Sequence, residues 1–212
     1  MNPALAVLIA YVAGSFPSAY LAGRVLKGVD LRTVGSGNLG ATNVYRTLGA
    51  GAASVVMLLD ALKGALPAAL LPAAIDGAYR HGANATLWWG LACGVAAIAG
   101  HTKPIFLLWR GGGKGVATAA GVFGAFAPAA LGVVLVVFVA TVYGSRFVSL
   151  ASISAALTLP IAVALTLGAG SPVFAVACLI ALFVVWMHRA NIRRLRAGTE
   201  PRISSPKVEG TR

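Results

Sequence analysis

Long apolar runs constrain the fold of this chain more than any other feature of its sequence. Of its 212 residues, 58% are hydrophobic and only 10% are charged, and the mean hydropathy is +0.86. About 20 consecutive apolar residues suffice for one helical crossing of a bilayer, because a helix satisfies its own backbone polar groups. Such runs recur along nearly the whole length. We therefore predict an all-α integral membrane protein, a single bundle and a single domain over residues 1–212.

The individual runs can be traced along the chain. The first, from Pro3 to about Gly23, has no Lys or Arg before it, unlike a signal peptide, so we expect it to remain as a transmembrane helix. A short polar turn with Asp76, Arg80 and His81 separates the second run from the third. The runs after the first cover residues 51–75, 84–100, 116–143, 147–167 and 172–187.

Basic residues between the runs predict the orientation of the bundle. They concentrate between Arg24 and Arg46, between Lys103 and Lys114, and in a tail over about 189–212, all of which the positive-inside rule places in the cytoplasm. As one helix, residues 116–143 would be roughly 40 Å long, and Pro128 interrupts them. Two shorter spans meeting near Pro128 give seven transmembrane helices, with the N-terminus outside and the C-terminus cytoplasmic. A single long tilted helix with a reversed tail is the alternative.

This topology brings three polar clusters to one membrane surface, where they can form a common site. The clusters are residues 36–46, 111–118 and 188–200.

The net charge of +12 also suggests nucleic-acid binding, but the basic residues are scattered over short loops and the tail. The aromatic platforms of a single-strand binder are missing as well. We therefore attribute the charge to the membrane and expect no nucleic-acid partner.

The first cluster, with GSGNLGATN at residues 35–43, has the composition of a phosphate-binding loop. Its glycines let backbone N–H groups approach an anion, and the Arg46 guanidinium matches phosphate geometry. A flexible turn between helices is the alternative. The glycines also satisfy GxGxxG, but an apolar helix precedes them where a dinucleotide site needs a strand. The uncharged donors of this loop are Ser36, Asn38, Thr42 and Asn43.

The second cluster, RGGGKGVAT, places Lys114 directly before an apolar helical run. Free amides at a helix N-terminus, together with a lysine and the nearby Thr118, form a suitable anion site. The segment is not a Walker A loop, because Leu108 stands where that motif needs glycine and Gly115 follows the lysine. A lysine that anchors a helix at the membrane edge is the alternative.

The third cluster begins where the last apolar run ends. His188 and Asn191 are spaced i,i+3, so their side chains share one face of a helix. His188 is a candidate general base or a donor to a developing oxyanion, although a helix-end histidine that interacts with the helix dipole is equally compatible. The arginines at 193, 194 and 196 are interpreted as interfacial anchors to anionic lipid.

Ionisable residues within the apolar runs are few. Asp60 and Lys63 are also spaced i,i+3. Burying a charged side chain in a membrane costs free energy unless it is paired, so we predict an intramembrane ion pair. The spacing leaves open whether Lys63 also reaches substrate. Ser149 and Ser152 either donate to substrate or bond backbone carbonyls of their own helix.

The five carboxylates of the chain are too dispersed to hold magnesium, and we predict no metal and no cofactor.

Three segments together closely resemble the bacterial membrane glycerol-3-phosphate acyltransferases that use acyl phosphate as donor. The segments are SGNLGATNVYRTLG, GHTKPIFLLWRGGGKGVAT and HRANIRRLRAGTEPRI, and the resemblance extends over almost the whole chain. It implies acyl transfer from acyl phosphate to the 1-hydroxyl of sn-glycerol 3-phosphate, which yields lysophosphatidic acid and phosphate at the cytoplasmic face of the inner membrane. It also implies seven transmembrane helices and coupling to an enzyme that makes acyl phosphate, while no obligate protein partner is evident.

The same resemblance assigns roles by position in the matching motifs. It implies catalytic roles for Ser36, His188 and Asn191 and phosphate binding by Arg46 and Lys114. Lys63 and Ser152 are possible additional site residues. We expect no acyl-enzyme, with the hydroxyl proton passing to a donor phosphate oxygen or to His188. The loops that bind phosphate would be completed by Gly37, Asn38, Gly40, Thr42, Asn43, Gly112, Gly113 and Gly115.

The sequence also bears on two other classes of protein. The His-x4-Asp dyad of the other large class of glycerolipid acyltransferases is absent, because Thr86, Phe106 and Arg193 occupy the positions that would need aspartate. A transporter of a small phosphorylated solute would use similar loops. Transporters bind near the bilayer midplane, however, whereas the polar clusters of this chain are predicted at one surface.

Overall fold

The computed structural model describes residues 1–75 and 83–203, and the regular structure of these residues is entirely helical. The predicted turn with Asp76, Arg80 and His81 and the tail beyond residue 203 lie outside the described residues. Short 3-10 turns follow α4 and α5 at Leu71–Ala74 and Ile105–Leu107. The α-helices are α1 Pro3–Gly14, α2 Ser18–Lys27, α3 Ala41–Leu48, α4 Ala50–Leu70, α5 Ala83–Thr102, α6 Val116–Phe126, α7 Pro128–Ser145, α8 Val148–Leu167, α9 Pro172–Met187 and α10 Arg189–Arg196.

Five helical segments of the described residues are long and apolar enough to cross a membrane. A sixth is obtained when α9 and α10, which meet at a bend of 56°, are counted as one span. The segment α6 has 11 residues, or roughly 16 Å, about half of a bilayer core. The all-α integral membrane fold is confirmed, whereas the count of seven stays a prediction. The five segments are Pro3–Lys27, Ala50–Ala74, Ala85–Leu107, Pro128–Ser145 and Val148–Leu167.

The break predicted near Pro128 is confirmed. Helix α6 ends at Phe126, Ala127 links the helices, and Pro128 is the first residue of α7. Proline has no N–H to continue the preceding helix, but its fixed φ suits the first turn of the next one. Residues 116–143 are therefore two helices and not one long tilted helix.

The first apolar run differs from its prediction. It forms two helices, α1 and α2, that are interrupted between Ser15 and Pro17, although together they remain one apolar segment of 25 residues. Pro17 cannot donate a backbone hydrogen bond, and the Lys63 Nζ atom donates to the Phe16 carbonyl at 2.9 Å. A buried lysine thus satisfies a carbonyl at the break, a long-range contact that the local sequence does not reveal.

Small residues bring α4 and α6 into close contact. A side chain on Gly121 would overlap the Ala61 carbonyl oxygen, and one on Gly64 would overlap the Thr118 carbonyl. Such small-residue contacts allow backbones to approach in membrane bundles. Thr118 is therefore fully buried against α4. The packing holds the segment before α6, which carries Lys114, against the centre of the bundle.

Candidate active site

Asn43 organises the loop of the first cluster. Its Oδ1 atom accepts the Ser36 N–H at 3.1 Å, and its Nδ2 atom donates to the carbonyls of Leu31 and Val34 at 3.0 and 3.1 Å. A side chain on Gly35 would overlap that Oδ1 atom. Asn43 is 1% exposed and its amide is committed to the loop, while Ser36 is exposed on the loop surface.

The other residues of this loop lead into α3. Gly37 has a φ of 69°, in the left-handed region that favours glycine. Gly40 precedes the first residue of α3, and a Cβ atom there would lie 2.8 Å from the Asn38 Nδ2 atom. Thr42 is half-buried in the first turn of the helix. Arg46 follows one turn later on the same face of α3 as Thr42.

Two hydrogen bonds connect the chain around the first cluster to the chain around the second. Arg32 lies 2.6 Å from the Asp30 carboxylate, and hydrogen bonds from Arg32 hold the pKa of Asp30 at about 2. The same guanidinium donates to the Arg110 carbonyl at 3.1 Å, and the Leu39 N–H donates to the Gly112 carbonyl at 3.3 Å. The loops of the first two clusters are thus hydrogen-bonded to each other.

The second cluster is a tight glycine loop that ends at α6. Gly115 has a φ of 82° and is the capping residue of that helix. A side chain on Gly112 would overlap the Thr102 carbonyl oxygen, and one on Gly113 would overlap the His101 ring. Lys114 leaves this loop in the direction of the third cluster, where its Nζ atom donates to the Asn191 Oδ1 atom.

The third cluster lies at the bend between α9 and α10. His188 is 3% exposed, and its Nδ1 atom lies 2.8 Å from the Val184 carbonyl oxygen. A carbonyl only accepts, so Nδ1 carries the proton and Nε2 of the neutral ring keeps a free lone pair. Asn191, 6% exposed, lies one turn further on and contacts Lys114. The predicted proximity of the second and third clusters is therefore present in the structure.

Glu200 completes this network and was missed in the sequence analysis. Its two carboxylate oxygens accept from Asn191 Nδ2 at 2.6 Å and from Arg194 Nε at 2.7 Å. Beyond it the chain returns to the bundle, with Arg46 donating to the Pro201 carbonyl at 3.1 Å. The one available signal was that Glu200 is the sole carboxylate in the basic stretch 189–202.

The charges of these residues act on Lys114. Burial lowers the pKa of Lys114 to about 8; the positive charges of Arg194 and Arg46 act in the same direction, and the negative charge of Glu200 opposes them. Burial also disfavours ionised Glu200, but hydrogen bonds from its neighbours, Asn191 and Arg194 among them, outweigh this effect and lower its pKa. The site is thus a cationic cluster in which one carboxylate offsets part of the charge.

Lys63 and Ser152 have partners away from this cluster. The predicted intramembrane ion pair is confirmed, because Lys63 Nζ lies 2.7 Å from Asp60 Oδ1. The Ser152 hydroxyl donates to the Val148 carbonyl at 2.9 Å, the intrahelical bond expected of a serine in a membrane helix. Neither side chain contacts Lys114 or Asn191.

An apolar groove begins next to the polar cluster. It lies between α6, α7, α8 and α9. Its lining includes Val116, two residues after Lys114, and Val184, whose carbonyl holds His188. Phe123, Leu131 and Leu159 line it further along the same helices. A ligand with an anionic head and an apolar chain fits this combination.

Comparisons with known proteins agree with this geometry. Residues 4–198 match the family model of glycerol-3-phosphate acyltransferase. A glycerol-3-phosphate acyltransferase of Synechococcus sp. (strain CC9902) is 48% identical over 204 residues, 96% of each chain. One of Listeria monocytogenes serotype 4a (strain HCC23) is 46% identical over 203 residues, covering 96% of this chain and 98% of the relative. The chain belongs to the glycerol-3-phosphate acyltransferase family.

The fold of this acyltransferase is also that of solved relatives. A crystal structure of PlsY (YgiH), an integral membrane glycerol 3-phosphate acyltransferase in its glycerol 3-phosphate form, superposes with a TM-score of 0.83 at 37% identity, covering 95% of this chain and 96% of PlsY. The lysophosphatidic acid form of PlsY superposes with a TM-score of 0.80 at 36% identity, with 96% of both chains covered. The resemblance stated from the three sequence segments is therefore confirmed at the level of the family.

Removing the Glu200 carboxylate should release the segment after α10. Glu200→Ala takes away the acceptor for Asn191 and Arg194, so we expect residues 197–203 to detach from the acyltransferase bundle. Limited digestion with trypsin should then cleave after Arg196 about fivefold faster than in the wild type, because proteolysis follows local opening. Thr199→Ala, which leaves the carboxylate in place, is the control. Equal cleavage rates in all three proteins would contradict this role of Glu200.

Proposed function

We propose that the acyltransferase moves a fatty acyl group from acyl phosphate to the 1-hydroxyl of sn-glycerol 3-phosphate, the entry step of phospholipid synthesis. The products are lysophosphatidic acid and inorganic phosphate. The observation that carries the proposal is the continuity between the cationic cluster around Lys114 and the apolar groove that begins at Val116 and Val184. An acyl phosphate has an anionic head and an apolar tail, and it matches both parts.

The number of cations supports a site for two phosphates. The positive charges of Arg46 and Arg194 both act on Lys114, and the exposed Ser36 lies on the loop that precedes Arg46. The acceptor and the leaving group of the proposed reaction each carry a phosphate. The PlsY relatives have been crystallised in glycerol 3-phosphate and lysophosphatidic acid forms. We propose that Arg46, Lys114 and the amides of the two glycine loops bind these phosphates.

The chemical step needs orientation and charge stabilisation more than covalent help. An acyl phosphate is an activated anhydride, so the glycerol hydroxyl oxygen attacks the acyl carbon directly and the bond between that carbon and the phosphate oxygen breaks. The hydroxyl proton passes to a phosphate oxygen of the donor or to His188 Nε2, and phosphate leaves. Ser36 and Asn191 orient the reactants as hydrogen-bonding groups. In this proposal no acyl-enzyme, metal or cofactor takes part.

The same proposal includes a topology. Seven crossings, with the N-terminus outside and the C-terminus cytoplasmic, require α6 to serve as one crossing although it is only 11 residues long. Its 11 residues are mostly shielded by neighbouring helices, and a short span is tolerated where protein surrounds it. The chain is one domain in the bacterial cytoplasmic membrane, with its site at the cytoplasmic face. Acyl phosphate comes from a separate enzyme, lipids surround the bundle, and no obligate protein partner or nucleic acid is proposed.

Purified protein tests the donor and the product together. Incubated with palmitoyl phosphate and labelled glycerol 3-phosphate, it should form labelled lysophosphatidic acid and inorganic phosphate in equal amounts. Lys114→Ala should lower the rate at least about 100-fold, as loss of a charge-stabilising group does, whereas Lys103→Ala, an exposed lysine after α5, should not. Product from acyl-CoA but not from acyl phosphate would contradict the proposed donor.

Two other outcomes would revise the mechanism or the function. A covalent acyl-Ser36, trapped by rapid quenching and detected by mass spectrometry, would contradict direct transfer. Glycerol 3-phosphate uptake into vesicles, with no product from either donor, would point to a transporter.

Cysteine labelling tests the topology. In a background with Cys93 and Cys178 replaced by alanine, we expect Ala169→Cys, in the exposed turn before α9, to react with an impermeant maleimide on intact cells. Arg196→Cys should react only after permeabilisation. The reversed pattern would show that the tail is outside, and it would contradict the seven-helix arrangement.

The pKa of Lys114 predicts a pH dependence of substrate binding. Because burial lowers this pKa to about 8, the ammonium group is charged below that pH and loses its charge above it. A phosphate monoester, with a second pKa of about 6, stays dianionic over the same range. The KM for glycerol 3-phosphate should therefore rise at least about fivefold between about pH 7 and pH 9.5. Lys114→Arg stays charged and should lack this rise; the same rise in both proteins would contradict the assignment.

A further inference from the structure

His101 lies at the end of α5, directly beneath the glycine loop of the second cluster. Only 4% of its side chain is exposed. A side chain on Gly113 would overlap the His101 Nε2 atom, and the Gly113 N–H donates to the His101 carbonyl at 3.2 Å. His101 therefore contacts the loop through both its ring and its backbone, although nothing in the proposed reaction uses it.

The glycines of this loop are required for different reasons. Gly111 and Gly115 have φ values of 88° and 82°, a conformation that favours glycine, whereas Gly112 and Gly113 are not in that region. A side chain on Gly112 would overlap the carbonyl oxygen of Thr102, a backbone atom that cannot move aside. Gly113 faces a side chain instead. Of these four glycines, Gly113 alone has a φ that other residues adopt and a conflict with a side chain, so truncating that side chain can make room for an added Cβ atom.

The His101 ring is held in place by the buried ion pair. Its Nδ1 atom lies 3.6 Å from Asp60 Oδ1 and has no hydrogen-bond partner among the described residues. The same carboxylate oxygen accepts from Ser18 Oγ at 2.6 Å and lies 2.7 Å from Lys63 Nζ. The ring therefore lies between the Asp60 carboxylate and Gly113, and Nε2 is the ring atom nearest to a Cβ atom added at Gly113.

We propose that His101 is a positioning residue for the phosphate-binding loop. Held beside Asp60, its imidazole supports Gly113 and fixes the loop in the conformation that presents its amides to the substrate phosphate, while Asn191 separately orients Lys114. The inference rests on the proposed function, because it assigns phosphate binding to this loop. Since His101 acts through the loop and does not touch substrate, its loss should raise the KM for glycerol 3-phosphate and leave kcat nearly unchanged.

A double-mutant cycle tests the contact between His101 and Gly113. Gly113→Ala should raise the KM for glycerol 3-phosphate about tenfold or more, and His101→Ala should raise it about three- to fivefold, in the range found for residues in contact. The double variant should have a KM close to that of His101→Ala alone, because the space left by the ring accommodates the added methyl group. Multiplicative effects of the two substitutions would overturn the proposal.

Two further variants separate this role from a general loss of stability. Gly94→Ala, on the same helix, places a Cβ atom 2.6 Å from Val122 Cγ1, away from the loop. We expect it to lower the melting temperature without changing the KM and without rescue by His101→Ala. His101→Gln, which keeps a polar group beside Asp60, is a second substitution should His101→Ala not fold. A KM raised equally by Gly94→Ala would count against the proposal.

Hydrogen exchange tests the inference independently of activity. Without substrate, amides 111–115 should exchange faster in His101→Ala than in the wild type, and unchanged exchange would overturn the inference. If the wild type makes no lysophosphatidic acid, the proposed function fails, and the exchange result still decides whether His101 orders the loop.

Discussion

The buried ion pair between Asp60 and Lys63 is the interaction on which both glycine loops depend. A single charge at this depth is costly unless it is paired and its remaining hydrogen-bonding positions are filled. Here Lys63 fills them by donating also to the Phe16 carbonyl, and Asp60 by accepting from Ser18. The pair thereby fixes the break between α1 and α2 to the middle of α4.

The direction of the chain after this break follows from the same pair. Helix α2 leads to the Asp30 turn, which is bonded through Arg32 to the Arg110 carbonyl. His101, whose Nδ1 atom lies 3.6 Å from the same Asp60 oxygen, lies beneath Gly113. A polar cluster around Asp60 thus connects both glycine loops, and rigid support of this kind is what a preorganised site needs.

The apolar runs were sufficient to predict the helical membrane fold and the interruption at Pro128. These features depend on hydrophobicity and on the missing N–H of proline, both of which are local. The break at Phe16 and the return of Glu200 and Pro201 to the bundle were not predicted. Both depend on partners far away in sequence, 47 residues for Lys63 and 155 for Arg46. Asn43 shows the same limit, because spacing alone does not tell whether an amide bonds substrate or its own loop.

An experimental structure of the protein in lipid with bound glycerol 3-phosphate is the most direct test of a phosphate site formed by the three clusters. The account predicts that the phosphate lies within about 3 Å of the Lys114 Nζ atom and of amides in the Gly112–Gly115 loop. Lys114 should then share its hydrogen bonds between the phosphate and Asn191. A phosphate bound at the opposite end of the bundle, with the Lys114 cluster unchanged, would contradict the account.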